Sequence, residues 1–192
     1  FEIGRCFRYE KPQRGRLREF YQFNADLLGE ASPSADAELI ALSIDVMREL
    51  GFAEGEIIVR LSDREAWLTF CRSHGINDSE LDAFLQIVDK IERDPDEKLS
   101  ARLAPFDVDL ESIREFIANA GPESSRNICA VLTDLAARGL DRFTEIDLSI
   151  VRGLAYYTGV VFEVFDASKA LRSVAGGGRY DSLISIVTDG AT

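Results

Sequence analysis

The chain has 192 residues, 46% hydrophobic and 29% charged, with a formal net charge of −12. That length and apolar content suffice for one sizeable core and a small second module. No apolar run approaches the ~18 residues of a membrane span, and His74 is the only histidine, which excludes a histidine-based metal site and a Ser-His triad.

Cys6, Cys71 and Cys129 lie far apart with no C-x-x-C spacing, the usage of a reduced, cytoplasmic chain. There is no initiating Met and no signal-peptide pattern, and the first residues already follow a strand pattern. The chain is therefore expected to be an interior piece of a longer protein. Its charge is uneven. Arg5, Arg8, Lys11, Arg14, Arg16 and Arg18 face only Glu2 and Glu10 within residues 1–18, a local +4 that leaves −16 elsewhere. A basic hairpin on an acidic body fits a local anion such as a phosphate group better than a broad nucleic-acid-binding face. A solvated charged loop is the structural alternative.

Residues 2–9 and 19–28 read as strands around a polar loop with Pro12 and Gly15, a hairpin signal. On the first strand Arg8 can project from the sheet, and its planar fork suits phosphate oxygens. Arg16 can close on the same ligand from across the loop, and Glu10 can accept from a base amine or align an arginine. In the returning strand Phe20, Gln22, Asn24 and Asp26 fall on one face. The Gln22 amide and the Asp26 carboxylate suit an ammonium or an imidazole N–H. A helix is expected next, started by Ser34 or Asp36 and stopped by Gly51, and residues 56–63 read as a strand.

Residues 64–139 are helical in pattern, with helices expected over 64–74, 78–92, 109–119 and 123–138. Their apolar positions read as core, and neither Trp67 nor His74 has an arguable chemistry. The organisation expected is a core over 1–63, a helical insertion over 64–139 and a second core part over 140–192. Strand character returns over 142–151 and 159–166. Between them Arg152 precedes Gly153, and Tyr156 and Tyr157 point to opposite faces, one toward a pocket and one toward the core. The structural alternative for Arg152 is a salt bridge to Asp147 or Glu145. In "AGGGRYD" the glycines bare the backbone and permit close approach to a ligand. The segment is neither a P-loop nor a dinucleotide fingerprint. Strands without regular βαβ alternation indicate an α+β fold, with an antiparallel or mixed sheet flanked by helices.

"FRYEKPQRGRLREFYQ" resembles motif 2 of class II aminoacyl-tRNA synthetases in its histidyl-tRNA synthetase form. "RGLAYYTGVVFEVF" resembles the first histidine-specific motif of that family and "AGGGRYD" the second. The three occur in order, and the helical stretch sits where the family has its insertion. The resemblance implies a class II synthetase-like fold and a histidine–tRNA ligase. Such an enzyme activates L-histidine with ATP to histidyl-adenylate and transfers it to tRNA(His), with Mg²⁺ and a homodimeric parent protein. By motif position, Arg8 and Arg152 flank the ATP α-phosphate, and Glu10 and Arg16 handle the adenine and outer phosphates. Gln22 holds the amino acid and its reacting carboxylate. Asp26, Tyr156, Tyr157 and Tyr180 line the histidine pocket, bordered by Gly177 and Gly178. Ala155 departs from the aspartate of many members and is expected to face away. Motif 1, motif 3 and an anticodon-binding domain do not occur in this sequence, so the isolated chain is expected to be inactive. The runner-up is a histidine-sensing regulatory subunit of ATP phosphoribosyltransferase, which resembles the same core. The retained Arg8, Glu10, Arg16, Arg152 and insertion favour the enzyme.

Overall fold

In the computed structural model, which describes residues 1–11, 16–151, 156–168 and 172–188, alternating side chains set the first two elements. β1 (Glu2–Phe7) and β2 (Glu19–Asn24) pair antiparallel, with Gly4 opposite Gln22 and Cys6 opposite Phe20. The expected loop tip, with Pro12, Arg14 and Gly15, lies outside the described residues. β2 ends at Asn24 rather than near residue 28, so Asp26 leaves the pleat and reaches its neighbours from a loop. α1 (Pro33–Glu49) begins with Pro33 after Ser32 at the N-cap position, where no side chain caps it. Neither Ser34 nor Asp36 caps this helix; Asp36 is drawn instead to Arg179.

β3 (Ile57–Asp63) is followed at once by α2 (Arg64–Ser73). α3 (Leu81–Val88), α4 (Asp96–Leu103), α5 (Leu110–Ala118) and α6 (Arg126–Ala137) complete the helical stretch. Trp67, Phe70, Phe84, Leu99, Leu103 and Ile113 fill its core. Trp67 is almost fully buried, and its indole N–H donates to the Leu148 carbonyl at 2.9 Å, tying helices to sheet. Asp63, fully buried, latches two helix starts. It accepts the Glu65 N–H at the head of α2 (3.1 Å), the Ser125 hydroxyl, and the Asn127 amide (3.1 Å). Ser125 in turn accepts the Asn127 N–H and caps α6 (3.1 Å).

β4 (Thr144–Ile146), β5 (Val160–Asp166) and β6 (Ala175–Gly178) join β3 in a mixed sheet of order β4-β3-β5-β6. β3 runs parallel to β4 and antiparallel to β5, and β5 pairs antiparallel with β6. A short α7 (Leu183–Val187) follows. Ile40, Ile44 and Met47 of α1, with Val131 and Leu135 of α6, cover Val59, Leu61, Val160, Phe162 and Val164 of the sheet. Because Ile128 joins the helical core while Val131 and Leu135 join the sheet core, α6 is shared between the two. The fold is α+β, a mixed sheet flanked by helices. Among the described residues no helix is long and apolar enough to cross a membrane.

Two local expectations differ. Residues 142–151, expected as one strand, form only the three-residue β4. Asp147 then turns the chain by accepting the Ser149 N–H (3.0 Å) and hydroxyl (2.5 Å). The triple glycine, which the sequence marks only as bare backbone, forms the edge strand β6. α4 is an additional helix, held by Leu99 and Leu103 one turn apart, which the polar residues around them obscure.

Candidate functional site

The hairpin register places Arg8, Cys6 and Gly4 on the same face as Phe20, Gln22 and Asn24. The Arg8 guanidinium lies 3.7 Å from the centre of the Phe20 ring, a cation–π contact that holds the fork on this face. Arg16 pairs with Glu10 at 2.6 Å, and Arg18 Nε donates to the Glu10 carbonyl at 3.1 Å. The Cys6 thiol stands 3.6 Å from Gln22 Oε1 and orients that amide.

Where the hairpin ends, a cleft of about 770 Å³ opens between the segment after β2, the start of α1 and the edge strand β6. Asp26, Tyr156, Tyr157, Gly177, Gly178 and Tyr180 all line it. The Tyr180 hydroxyl donates to Asp26 across the cleft. Burial and the adjoining Asp26 carboxylate push the Tyr180 phenol up to about 12. A phenolate facing a carboxylate is disfavoured, so the hydroxyl stays protonated. The Tyr156 ring meets Tyr180 edge-on, with centroids 6.3 Å apart and planes at 87°, and lies 4.8 Å from Tyr157.

The two tyrosines divide their work. Tyr156 is half-buried and faces Tyr180, whereas Tyr157 is 8% exposed and packs with Ile150 and Val161. Glycine makes that packing possible. A Cβ on Gly178 would stand 2.7 Å from Tyr157 Cδ1 and 2.8 Å from Val161 Cγ1, and one on Gly177 would stand 2.8 Å from Phe162 Cε1. The bare edge strand thus lets an aromatic wall approach the cleft.

Arg8, Glu10, Arg16 and Gln22 lie further along the hairpin and do not line this cleft. Arg152 lies outside the described residues. Its alternative partners are both engaged by another side chain. The buried Arg60 pairs with Glu145 and Asp147, each at 2.9 Å, and lies over the Phe165 ring.

Sequence reasoning missed one pair in the cleft wall. Arg179 and Asp36 form an ion pair, Nη2 to Oδ2 at 3.0 Å, with side chains only 12% and 13% exposed. Burial pushes the Asp36 carboxyl up. Burial also opposes the Arg179 charge, but Asp36 and Asp181 together hold that guanidinium above its ordinary value. The partners are 143 positions apart, so no local pattern announces them. The only signal was an arginine inside a glycine-rich segment otherwise poor in side chains.

The described residues do not fit a resident metal. Among them no three His, Cys, Asp or Glu side chains are grouped to hold one, and Asp26, Asp36 and Glu10 are engaged by Tyr180, Arg179 and Arg16.

Comparison with known proteins bears on this arrangement. The family profile described as histidyl-tRNA synthetase matches residues 2–192. The histidine–tRNA ligase of Opitutus terrae is 40% identical over 204 aligned residues, covering 96% of this chain and 47% of that protein. The crystal structure of histidyl-tRNA synthetase from a Nostoc species superposes with a TM-score of 0.80 and 25% identity, covering 98% of this chain and 48% of that one. A structure described as an ATP phosphoribosyltransferase regulatory subunit/histidyl-tRNA synthetase, from Bacillus halodurans, superposes with a TM-score of 0.73. At 21% identity, covering 95% of this chain and 51% of that one, it is a likeness of fold alone. The chain spans about half the length of the curated relatives it matches.

Proposed function

The chain belongs to the histidyl-tRNA synthetase family, and on that premise we propose that it supplies the histidine pocket and part of the ATP site of a histidine–tRNA ligase. The observation that carries this reading is the Tyr180 hydroxyl paired with Asp26 across the cleft, with Tyr156 edge-on beside it. An imidazole presents one N–H donor and one acceptor nitrogen. Asp26 takes the first, and the Tyr180 hydroxyl, which otherwise donates its one proton to Asp26, turns to the ring nitrogen as the second. An analogue that leaves either partner unmatched is rejected strongly. Tyr157, Gly177 and Gly178 shape the wall, and Gln22 holds the amino acid's reacting end.

The hairpin supplies the ATP side. The histidine carboxylate attacks the α-phosphorus of ATP, the new C–O–P linkage forms, and pyrophosphate leaves. Both reactants are anions, so the Arg8 and Arg152 guanidiniums are assigned to the α-phosphate, where negative charge develops. Glu10 and Arg16 are assigned to the adenine and outer phosphates. Mg²⁺ enters with ATP as the counter-ion of its phosphates. Neither a protein nucleophile nor a histidine base is needed, which suits a chain with one histidine whose ring stacks on Phe70. The organisation that goes with this reading is a core from residues 1–63 and 140–192, interrupted by a helical insertion over 64–139. In the second step a tRNA(His) terminal hydroxyl attacks the histidyl carbonyl, the ester forms and AMP leaves, in a cytoplasmic homodimer.

Histidine-dependent ATP–pyrophosphate exchange by the full-length polypeptide carrying these residues tests the proposal. Exchange with L-histidine and not with other amino acids is expected. Histidine binding with no exchange is what a regulatory subunit would give, and that result removes the ligase reading.

A further inference from the structure

Arg179 follows the glycine strand and precedes Tyr180, and it is the most heavily engaged side chain in the cleft wall. Its main chain is bonded to the segment that follows the tyrosine pair. The Thr158 N–H donates to the Arg179 carbonyl at 2.8 Å, and the Arg179 N–H donates to the Val160 carbonyl at 2.9 Å. Its stem crosses Gly159, where an added Cβ would stand 3.2 Å from Arg179 Cδ. The guanidinium then leaves the sheet for the head of α1. Nε donates to both Asp36 oxygens at 3.2 Å, and Nη2 donates to Asp36 Oδ2 at 3.0 Å and to the Ser32 carbonyl at 2.8 Å. On its other side Nη1 donates to Asp181 Oδ1 at 3.2 Å. Asp181 closes the ring: its N–H donates to Thr158 Oγ1 at 3.1 Å, and that hydroxyl donates to Asp181 Oδ2 at 3.2 Å.

Tyr180 is therefore clamped on both flanks, by Arg179 and by Asp181, and the same network holds the residue after Tyr157. We propose that Arg179 and Asp36 are positioning residues for the amino-acid pocket: the fork fixes Tyr180 against the Tyr156–Tyr157 segment and against α1, and neither side chain touches the amino acid. The inference rests on reading the cleft as the histidine site. Stability alone is a poor explanation of the pair. A buried ion pair must offset the desolvation of both charges, and an apolar pair of similar volume often stabilises as well or better. Geometry is what the fork adds, because a planar guanidinium spends five contacts in fixed directions where an ammonium could not.

The test separates position from stability. Arg179→Lys and the apolar pair Asp36→Leu with Arg179→Met are compared with wild type in the full-length polypeptide. Melting temperature and the KM values for histidine and ATP in pyrophosphate exchange are measured. The apolar pair is expected to melt at or above wild type. Both variants are expected to raise the KM for histidine about tenfold or more, with the KM for ATP changed by less than about twofold, as a misplaced first contact does. A folded variant with wild-type KM for histidine overturns the inference. So does a parallel rise of both KM values that tracks a falling melting temperature. If the apolar pair does not fold, Arg179→Lys decides alone. Wild type without histidine-dependent exchange overturns the underlying reading instead, and shows it before any variant is made.

Discussion

Replacing Gly178 by alanine perturbs the site by one methyl group at a known place. The added carbon would stand 2.7 and 2.9 Å from two atoms of the Tyr157 ring and 2.8 Å from Val161 Cγ1. All three are below the separation that carbon atoms tolerate. Tyr157 is 8% exposed and Val161 is 3% exposed, so neither can swing into solvent. The strand itself must yield, or the ring must tilt toward Tyr156. Overpacking of this kind costs about 1–3 kcal/mol, a fall of roughly 2–12 °C in melting temperature for a chain of this size. Thermal unfolding followed by circular dichroism reads the stability, and calorimetric titration with L-histidine reads the pocket. Weaker histidine binding is expected with the loss of stability, because the displaced ring narrows the cleft. A Gly178→Ala protein that melts within about 1 °C of wild type and binds histidine normally refutes the packing argument.

Other expectations follow from the same geometry. Arg8→Lys keeps the charge but loses the fork; pyrophosphate-exchange kinetics should show kcat/KM for ATP reduced about 100-fold, with the KM for histidine little changed. The Tyr180 phenol, at about 12, should titrate well above the ordinary tyrosine value near 10 in an ultraviolet pH titration, and Asp26→Asn should bring it back toward that value. The sign for stability is that of a raised pKa. Tyr180 contributes stability that is fully present below the unfolded value near 10 and is lost as the pH rises through about 12. Arg60→Met leaves Asp147, with a side chain 15% exposed, without its ion-pair partner. Urea denaturation should report a loss of about 3 kcal/mol, near the lower end for a broken buried pair because Glu145 is half exposed.

Elements whose signal is local were readable in the sequence. The hairpin showed in the alternation across Phe20, Gln22 and Asn24, and the register confirms that shared face. α1 and β3 showed in their apolar spacing. What escaped depends on distant partners or on competing local chemistry. The parallel pairing of β3 with β4 joins Val59 to Thr144, and nothing near either residue encodes it. The glycine strand β6 carries no strand signal in the sequence, because glycine weakens strands. It is a strand because Phe162 and Tyr157 occupy the space its side chains would need. In the site, Asp26, Tyr156, Tyr157 and Tyr180 line one cleft. The division between the two tyrosines required the structure, since alternation states that they differ but not which one meets the core. Asp36, like Ser34, carries an ordinary local capping signal at the start of α1. Its true partner, Arg179, lies 143 residues away.

The central claim is that the Tyr180–Asp26 pair forms the recognition site for the imidazole of histidine. Calorimetric titration of L-histidine into wild type, Tyr180→Phe and Asp26→Asn proteins tests it most directly. Wild type should bind, and each variant should bind about tenfold or more weakly, the cost of leaving one hydrogen-bonding partner unmatched. Undiminished affinity in both variants, or no binding of histidine by wild type, contradicts the account.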